Sequence, residues 1–161
     1  MSARAAWRLI SLGFTNVFRY KPGKADWMAN GLPVKGEEAK MQHAGDLARQ
    51  DVPVCRLGEQ IAEILPRLQK AGWDACVVTN EDRVVLGLLG SKALQAGPQT
   101  TAEQAMESSP RTYRLDTSLE KIMKHFQDAG SQRVLVTTAD GILHGLLRRE
   151  DVEKALSASK S

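Results

Sequence analysis

Hydrophobic positions follow the same succession of periods twice along the chain. Each time a short extended run comes first, then an apolar stripe with helical spacing, then two apolar runs joined by a polar turn. The helical stripes begin near Ile61 and Leu119, and they end at Gly72 and Gly130, where a left-handed cap is expected. The pattern therefore predicts two β-α-β-β-α units and an α+β fold.

The two units are copies of one another. Residues 56–94 recur as residues 114–152 without a gap, at a constant offset of 58. A unit of this length is too small to bury its own apolar faces, so the copies should pack together and leave clefts between them, where small molecules bind. The matching positions include Leu57 and Leu115, Ile64 and Ile122, Gln69 and Gln127, and the Gly-Leu-Leu runs at 87–89 and 145–147.

Polar and glycine residues set the expected boundaries of each element. In the first unit we expect strands over 52–55, 75–79 and 84–89, a helix opened by Gly58, and a short closing helix over 91–96. In the second unit, Asp116 or Thr117 can cap the helix, a hairpin turns at 139–141, and Glu150 and Asp151 begin the last helix.

The chain ahead of the repeats has a different pattern. Residues 1–36 predict a helix ending at Gly13, a strand over 16–20, and then a loop containing Pro22, Gly23, Gly31 and Pro33. Residues 37–50 show no sustained apolar period and predict a linker or a solvent-facing helix. The expected organisation is an N-terminal fragment over 1–36, a linker over 37–50, repeats over 51–97 and 98–157, and a disordered tail over 158–161.

Composition excludes several classes of function. A net charge of +3, with basic and acidic residues interspersed along most of the 161 residues, does not favour nucleic-acid binding. No apolar run approaches the ~20 residues that span a bilayer. Cys55 and Cys76 lie in predicted strands without metal-ligand spacing, so we interpret both as core residues of a cytoplasmic protein. The three histidines share no ligand spacing either, and we expect no metal site.

The order of elements, with Gly-Leu-Leu ending the hairpin and Asp151 opening the last helix, resembles a tandem pair of cystathionine-β-synthase-type (CBS) domains. The resemblance covers roughly residues 50–157. It implies a homodimerising, regulatory rather than catalytic module that binds AMP, ADP, ATP or an adenosyl ligand such as S-adenosylmethionine in a cleft between the repeats, and that needs no other cofactor.

The ligand motif of that family is a glycine, two aliphatic residues, Ser or Thr, any two residues, and Asp. Residues 145–151 read Gly-Leu-Leu-Arg-Arg-Glu-Asp, so the resemblance implies that Asp151 accepts hydrogen bonds from ribose hydroxyls. Arg148 replaces the Ser or Thr, and its guanidinium can donate two hydrogen bonds to a phosphate. In the first repeat Gly90 and Ala93 replace both polar residues. We therefore expect one competent cleft, lined by Thr112, Tyr113, Val134, Val136, Leu147, Arg148 and Asp151.

A simpler interpretation of the same residues stays open. Asp151 is also an ordinary acid in the first turn of a helix, where it stabilises the helix dipole by about 0.3–1 kcal/mol. Arg148 and Arg149 can equally be solvated charges.

The N-terminal fragment carries a second resemblance. Ser-Ala-Arg-Ala-Ala at 2–6, Leu9, Gly13-Phe14, Asn16-Val17, Trp27 and Gly-Leu-Pro-Val at 31–34 are similar to the C-terminal third of a rhodanese-type α/β sulfurtransferase domain. In that family the catalytic cysteine precedes this helix, and neither Cys55 nor Cys76 has that position. The fragment either docks on the repeats through its large apolar side chains or extends as a loosely ordered arm. Those side chains are Trp7, Leu9, Phe14, Phe18 and Trp27.

The sequence thus predicts a non-catalytic CBS pair that senses an adenine nucleotide and signals to an unidentified protein by a shift in repeat orientation or dimer packing. Two alternatives stay open. One is a truncated rhodanese-related sulfurtransferase whose catalytic cysteine segment lies upstream. The other is a dimerisation module without a ligand, which adenine nucleotides would not stabilise against heat.

Overall fold

The computed structural model describes residues 3–18, 23–36 and 41–158. The predicted tail beyond residue 158 and the predicted strand positions 19 and 20 lie outside these ranges. In the described ranges the helices are α1 (Ala3–Ser11), α2 (Lys24–Ala29), α3 (Ala44–Leu47), α4 (Ile61–Ala71), α5 (Ala102–Ala105), α6 (Leu119–Ala129) and α7 (Arg149–Ala158). The strands are β1 (Val54–Cys55), β2 (Cys76–Thr79), β3 (Val85–Leu89), β4 (Glu107–Ser108), β5 (Thr112–Arg114), β6 (Arg133–Thr137) and β7 (Leu143–Arg148).

Three strands from each repeat form one sheet with an equivalent register, and β4, from the start of the second repeat, joins the edge of the first sheet. The first has the order β1-β2-β3-β4 and the second the order β5-β6-β7, each with one parallel pair followed by an antiparallel hairpin. Cys76 pairs with Leu89, and Val134 pairs with Leu147 at the same offset of 58. Both hairpins also carry a register shift at equivalent positions. The predicted α+β fold is confirmed.

Backbone hydrogen bonds join the two repeats around a pseudo-twofold axis. The N–H of Val85 donates to the carbonyl of Gly141 at 3.0 Å, and the N–H of Leu143 donates to the carbonyl of Arg83 at 2.9 Å. These two bonds exchange under the offset of 58. The hairpins of the two repeats therefore meet as equivalent partners, as the duplication predicts.

The apolar stripes of α4 and α6 pack into two cores. Ile61, Ile64 and Leu68 of α4 are buried in the first core, which also takes Leu135 and Leu146 from the second repeat. The second core contains the buried face of α6, with Leu119, Ile122 and Phe126, together with Val134, Val136, Leu147 and Val152. Because the first core draws side chains from both copies, neither repeat completes its burial alone.

Several predicted boundaries differ in the structure. The N-cap of α4 is Gln60 rather than Gly58. The N-cap of α6 is Ser118, whose hydroxyl accepts a hydrogen bond from the N–H of Lys121, and neither Asp116 nor Thr117 has that position. The closing helix predicted over 91–96 is reduced to a 3₁₀ turn, Ala93–Gln95.

The N-terminal region contains a helix where a loop was expected. Helix α2 begins after Gly23 and ends at Ala29, two residues before Gly31; both glycines have positive φ, and Ala29 is fully buried. Residues 16–18 form no strand. Trp7 and Phe18 are 67% and 91% exposed, so docking of this region on the repeats involves the α2 segment rather than α1.

Residues 43–50, which the sequence pattern places in a linker, pack on the second repeat. Helix α3 and the following Arg49 correspond, at the offset of 58, to α5 and Glu107. Arg49 forms an antiparallel bridge with Leu146 of β7, as Glu107 of β4 pairs with Leu88 of β3. Each repeat is thus preceded by a short leading segment, α3 to Arg49 or α5 to β4, that packs on the hairpin of the other repeat.

The paired thiols of the first core should make stability depend on alkaline pH. Cys55 and Cys76 are each 1% exposed, and the hydrogen bond with Cys55, together with burial, raises the pKa of the Cys76 thiol far above its usual range. The unfolded chain releases this proton near pH 8.5, whereas the folded chain keeps it. The free energy of unfolding should therefore fall above that pH, by at most about 1.4 kcal/mol per pH unit.

Urea unfolding between pH 7.5 and 10 under reducing conditions measures this effect. The decline with pH should be shallower in Cys76→Ala, which lacks the proton in both states. Equal slopes in the two proteins would show that the Cys76 proton is lost equally in the folded and unfolded chains.

Candidate functional site

The first cleft contains an open cavity between the repeats. It has a volume of about 670 Å³. One wall comes from the end of the first repeat and the other from β6 of the second repeat, with the second leading segment between them. Its lining includes Gly90, Lys92, Ala93, Met106, Glu107, Arg111, His125, Gln132, Arg133 and Val134.

At the equivalent place in the other half, the second cleft is divided into two cavities. The first, of about 500 Å³, is lined by residues that include Trp73, Asp74, Arg148 and Glu150. The other is a shallower concavity of about 600 Å³, lined by Leu47, Arg49, Asp151, Lys154 and Ala155. We call the first the tryptophan cavity and the second the aspartate cavity.

A stack of side chains lies between the tryptophan and aspartate cavities. The guanidinium carbons of Arg49 and Arg148 each lie 4.6 Å from the centroid of the Trp73 ring, which is 6% exposed. A cation over an indole face contributes about 0.5–2 kcal/mol, more as water is excluded. The indole Nε1 also donates a hydrogen bond to Asp51 at 3.3 Å. We call Arg49, Trp73 and Arg148 the tryptophan stack.

Charged neighbours hold the stack in place. Asp51 accepts hydrogen bonds from Arg49, with a shortest distance of 3.2 Å, and this contact lowers the pKa of Asp51 and raises that of Arg49. The negative charges of Asp151 and Glu150 act on the pKa of Arg49 in the same direction. Arg148 also lies 3.7 Å from Glu150. Arg49 therefore stays protonated and oriented at the boundary of both cavities.

Asp151 lies in the first turn of α7, beside the aspartate cavity. Its Oδ2 atom is buried and has no hydrogen-bond partner among the residues that the structure describes. An acceptor buried without a donor costs about 1–3 kcal/mol, and more when it is charged. A donor supplied by a bound molecule would remove that cost.

The seven residues predicted for one cleft do not lie together. Val134 lines the first cleft, whereas Arg148 and Asp151 border the second. Val136 and Leu147 are fully buried in the second core and belong to neither surface. The physical reason is that β6 faces the first cleft, while the start of α7 faces the leading segment of the first repeat.

The two predicted residues on β5 lie elsewhere again. Thr112 is exposed at the edge of the second sheet. The ring of Tyr113 lies 5.5 Å from that of His125 and packs against the second core.

Sequence reasoning missed Arg49, Trp73 and Lys154. Arg49 belongs to a leading segment that is identical to its copy at one position only, Ala44 and Ala102. The sequence similarity between the two copies is therefore too weak to detect there. Trp73 directly follows the glycine that ends α4. An aromatic residue at such a position predicts packing in the core and gives no indication of a contact in a cleft. Lys154 follows Asp151 by three residues on α7, a spacing that places both on one helix face.

No group of three His, Cys, Asp or Glu side chains converges on a metal-sized site within residues 3–18, 23–36 and 41–158. In the same ranges, no helix has the length and apolar character needed to cross a bilayer.

Comparison with known proteins agrees with this architecture. Residues 102–158 match the family model described as CBS domain. The structure is similar to CBSX2 of Arabidopsis thaliana in complex with AMP, with a TM-score of 0.67 and 22% identity over 74% of this chain and 99% of that chain. The fold is that of a CBS-domain pair.

Two further solved structures are similar in fold. The cytosolic domain of the Mg²⁺ channel MgtE in complex with ATP has a TM-score of 0.67 and 24% identity, covering 73% of this chain. The CBS domain pair of protein MJ0100, in complex with 5′-methylthioadenosine and S-adenosyl-L-methionine, has a TM-score of 0.65 and 16% identity over 74% of this chain. The present chain spans 51% of the MgtE domain and 98% of the MJ0100 pair. No curated protein matches the sequence significantly.

Proposed function

We propose that this CBS pair is a regulatory module that senses an adenine nucleotide or a related adenosyl ligand in its second cleft. The observation that carries the proposal is the buried Oδ2 of Asp151, which has no hydrogen-bond partner in the part of the chain that the structure describes and belongs to a residue that lines the aspartate cavity. Ribose hydroxyls are donors, and a carboxylate accepts one from each, so a ribose at this place would satisfy the orphaned acceptor.

The charges around Asp151 favour a phosphorylated ligand. Arg49 and Lys154 line the same cavity, and Arg148 borders the adjoining one. Guanidinium groups bind phosphate oxygens bidentately, and an ammonium adds a point charge. A ribose on Asp151 with its phosphate toward these cations uses donors and acceptors that the cleft already presents.

The solved CBS pairs support the same ligand class. CBSX2 was crystallised with AMP, the MgtE domain with ATP, and the MJ0100 pair with two adenosyl compounds. We propose further that a homodimer of the pair transmits binding as a change in the orientation of its repeats, which a partner protein detects. The module itself carries out no catalysis.

Asp151→Ala tests the site directly. Calorimetric titration with AMP, ADP, ATP and S-adenosylmethionine should show saturable binding to the unmodified chain and a loss of about 10-fold to 100-fold in affinity for the variant, the cost of a hydrogen bond to a charged group. Asp140→Ala is the matched control, because Asp140 is exposed in the hairpin turn of the same repeat. Unchanged affinity in Asp151→Ala would remove the proposed site.

The sulfurtransferase alternative requires a nucleophilic cysteine from outside this sequence, because Cys55 and Cys76 are buried in the first core. The dimerisation alternative predicts no rise in melting temperature with any of the four ligands, whereas ligand sensing predicts a rise that grows with ligand concentration.

A further inference from the structure

The two clefts differ at every position of the tryptophan stack. At the offset of 58, Ser131 corresponds to Trp73, Glu107 to Arg49, and Gly90 to Arg148. The cleft with Ser131, Glu107 and Gly90 contains an open cavity of about 670 Å³, while the cleft with the stack contains two smaller cavities of about 500 and 600 Å³. Trp73 and Arg148 therefore fill space in the second cleft that the smaller Ser131 and Gly90 leave open in the first, while the hairpins follow the same register in both halves.

The indole is held as a flat ring between two cationic groups and a carboxylate. The guanidinium carbons of Arg49 and Arg148 each lie 4.6 Å from its ring centroid, its Nε1 donates to Asp51 at 3.3 Å, and the rest of the ring packs in the first core. A purine has a similar flat π-surface and stacks on guanidinium groups in the same manner. Trp73 thus covers two guanidinium groups on which an adenine base could stack, and one of them, Arg49, also lines the aspartate cavity with Asp151.

We propose that Trp73 is a built-in gate of the second cleft, which must leave Arg49 and Arg148 before a nucleotide is fully bound. This inference rests on the proposed function of that cleft. Opening uncovers the faces of both guanidinium groups, which stay paired with Asp51 and Glu150. The adenine base then stacks where the indole lay, and a ligand phosphate accepts hydrogen bonds from the in-plane N–H groups. Hydrogen bonds to the phosphates of AMP and ATP offset the free-energy cost of moving the indole, whereas adenosine has no phosphate to offset it. The gate therefore selects phosphorylated ligands over the bare nucleoside.

Closing the gate weakens the apparent affinity in proportion to the closed population. Trp73→Ser, which copies the residue of the open cleft, should therefore bind AMP about tenfold more tightly than the unmodified chain and should bind adenosine measurably. Trp7→Ser is the matched control, because Trp7 is exposed on α1 and should leave both affinities unchanged. Equal affinity for AMP in Trp73→Ser and the unmodified chain would overturn the gate.

Fluorescence gives a second measurement that does not depend on the folding of Trp73→Ser. The chain has three tryptophans, so a Trp7→Phe, Trp27→Phe variant reports Trp73 alone. Acrylamide should quench this tryptophan weakly without ligand and strongly at saturating AMP. Weak quenching in both conditions would show that the indole stays in place and would also overturn the gate.

The outcomes separate the gate from the function on which it rests. Binding of AMP that depends on Asp151, with no tightening in Trp73→Ser and no change in quenching, overturns the gate alone. Binding that is indifferent to Asp151→Ala overturns the proposed site, and the gate with it. Absence of binding of AMP and ATP to both the unmodified chain and Trp73→Ser overturns both.

Discussion

Replacing Phe126 by alanine should lower the free energy of unfolding by about 3–5 kcal/mol, the usual cost of removing a large aromatic ring from a packed core. Phe126 is fully buried at the centre of the second core, where α6 packs on the second sheet. A domain stability of about 5–15 kcal/mol leaves little margin for such a loss. Urea unfolding followed by circular dichroism measures it.

Phe18→Ala is the matched control for Phe126→Ala. It removes the same atoms from a side chain that is 91% exposed, so the free energy of unfolding should change by less than about 0.5 kcal/mol. A loss below about 1 kcal/mol in Phe126→Ala would contradict the packing of α6 described above.

Gly145→Ala should both destabilise the protein and weaken nucleotide binding. A Cβ at residue 145 would lie 2.6 Å from the carbonyl oxygen of Arg49, which is backbone and cannot rotate away. That carbonyl accepts a hydrogen bond from the N–H of Leu146 at 3.0 Å, so moving it breaks the bridge that places Arg49 in the second cleft. Overpacking of this kind costs about 1–3 kcal/mol, and we expect about a tenfold loss in AMP affinity beside it.

Gly87→Ala is the equivalent change in the first repeat and provides the comparison. The nearest atoms to its Cβ belong to the flexible side chain of Met106, which can move aside. Its cost should therefore be smaller than that of Gly145→Ala, and AMP affinity should be unchanged because the second cleft is untouched. Denaturation and calorimetry on both variants decide the point, and equal behaviour would contradict the close approach of Arg49 to β7.

Residues with regular spacing made most of the fold predictable. The stripes of α4 and α6, the glycine caps at Gly72 and Gly130, and the paired hairpins all follow from local periodicity and from the duplication. Helix α2 did not follow, because its six residues are too few for a periodic signal and are held by burial of Ala29. The N-cap of α6 also escaped prediction, because three consecutive polar residues precede the helix and only the backbone selects Ser118.

The candidate site was predictable only in part. Asp151 can be found from its place in a seven-residue pattern, and the structure places it beside a cavity, while its role as a ligand contact stays a prediction. The prediction that Val136 and Leu147 line the same cleft was wrong, because the alternation of side chains along a strand does not show which face of the strand packs against which neighbour. Arg49 and Trp73 reach the site through contacts with residues far along the chain, and no local pattern marks them.

The sequence by itself determined the duplication, the order of elements in each copy and the asymmetry between Asp151 and Ala93, since these are properties of residue type and spacing. Only the tertiary structure decided which segments share a cleft. The leading segment of each repeat packs on the hairpin of the other, and this exchange brings Arg49 to Trp73, Arg148 and Asp151. Such an arrangement depends on long-range burial around the pseudo-twofold axis, where neighbours in space are distant in sequence.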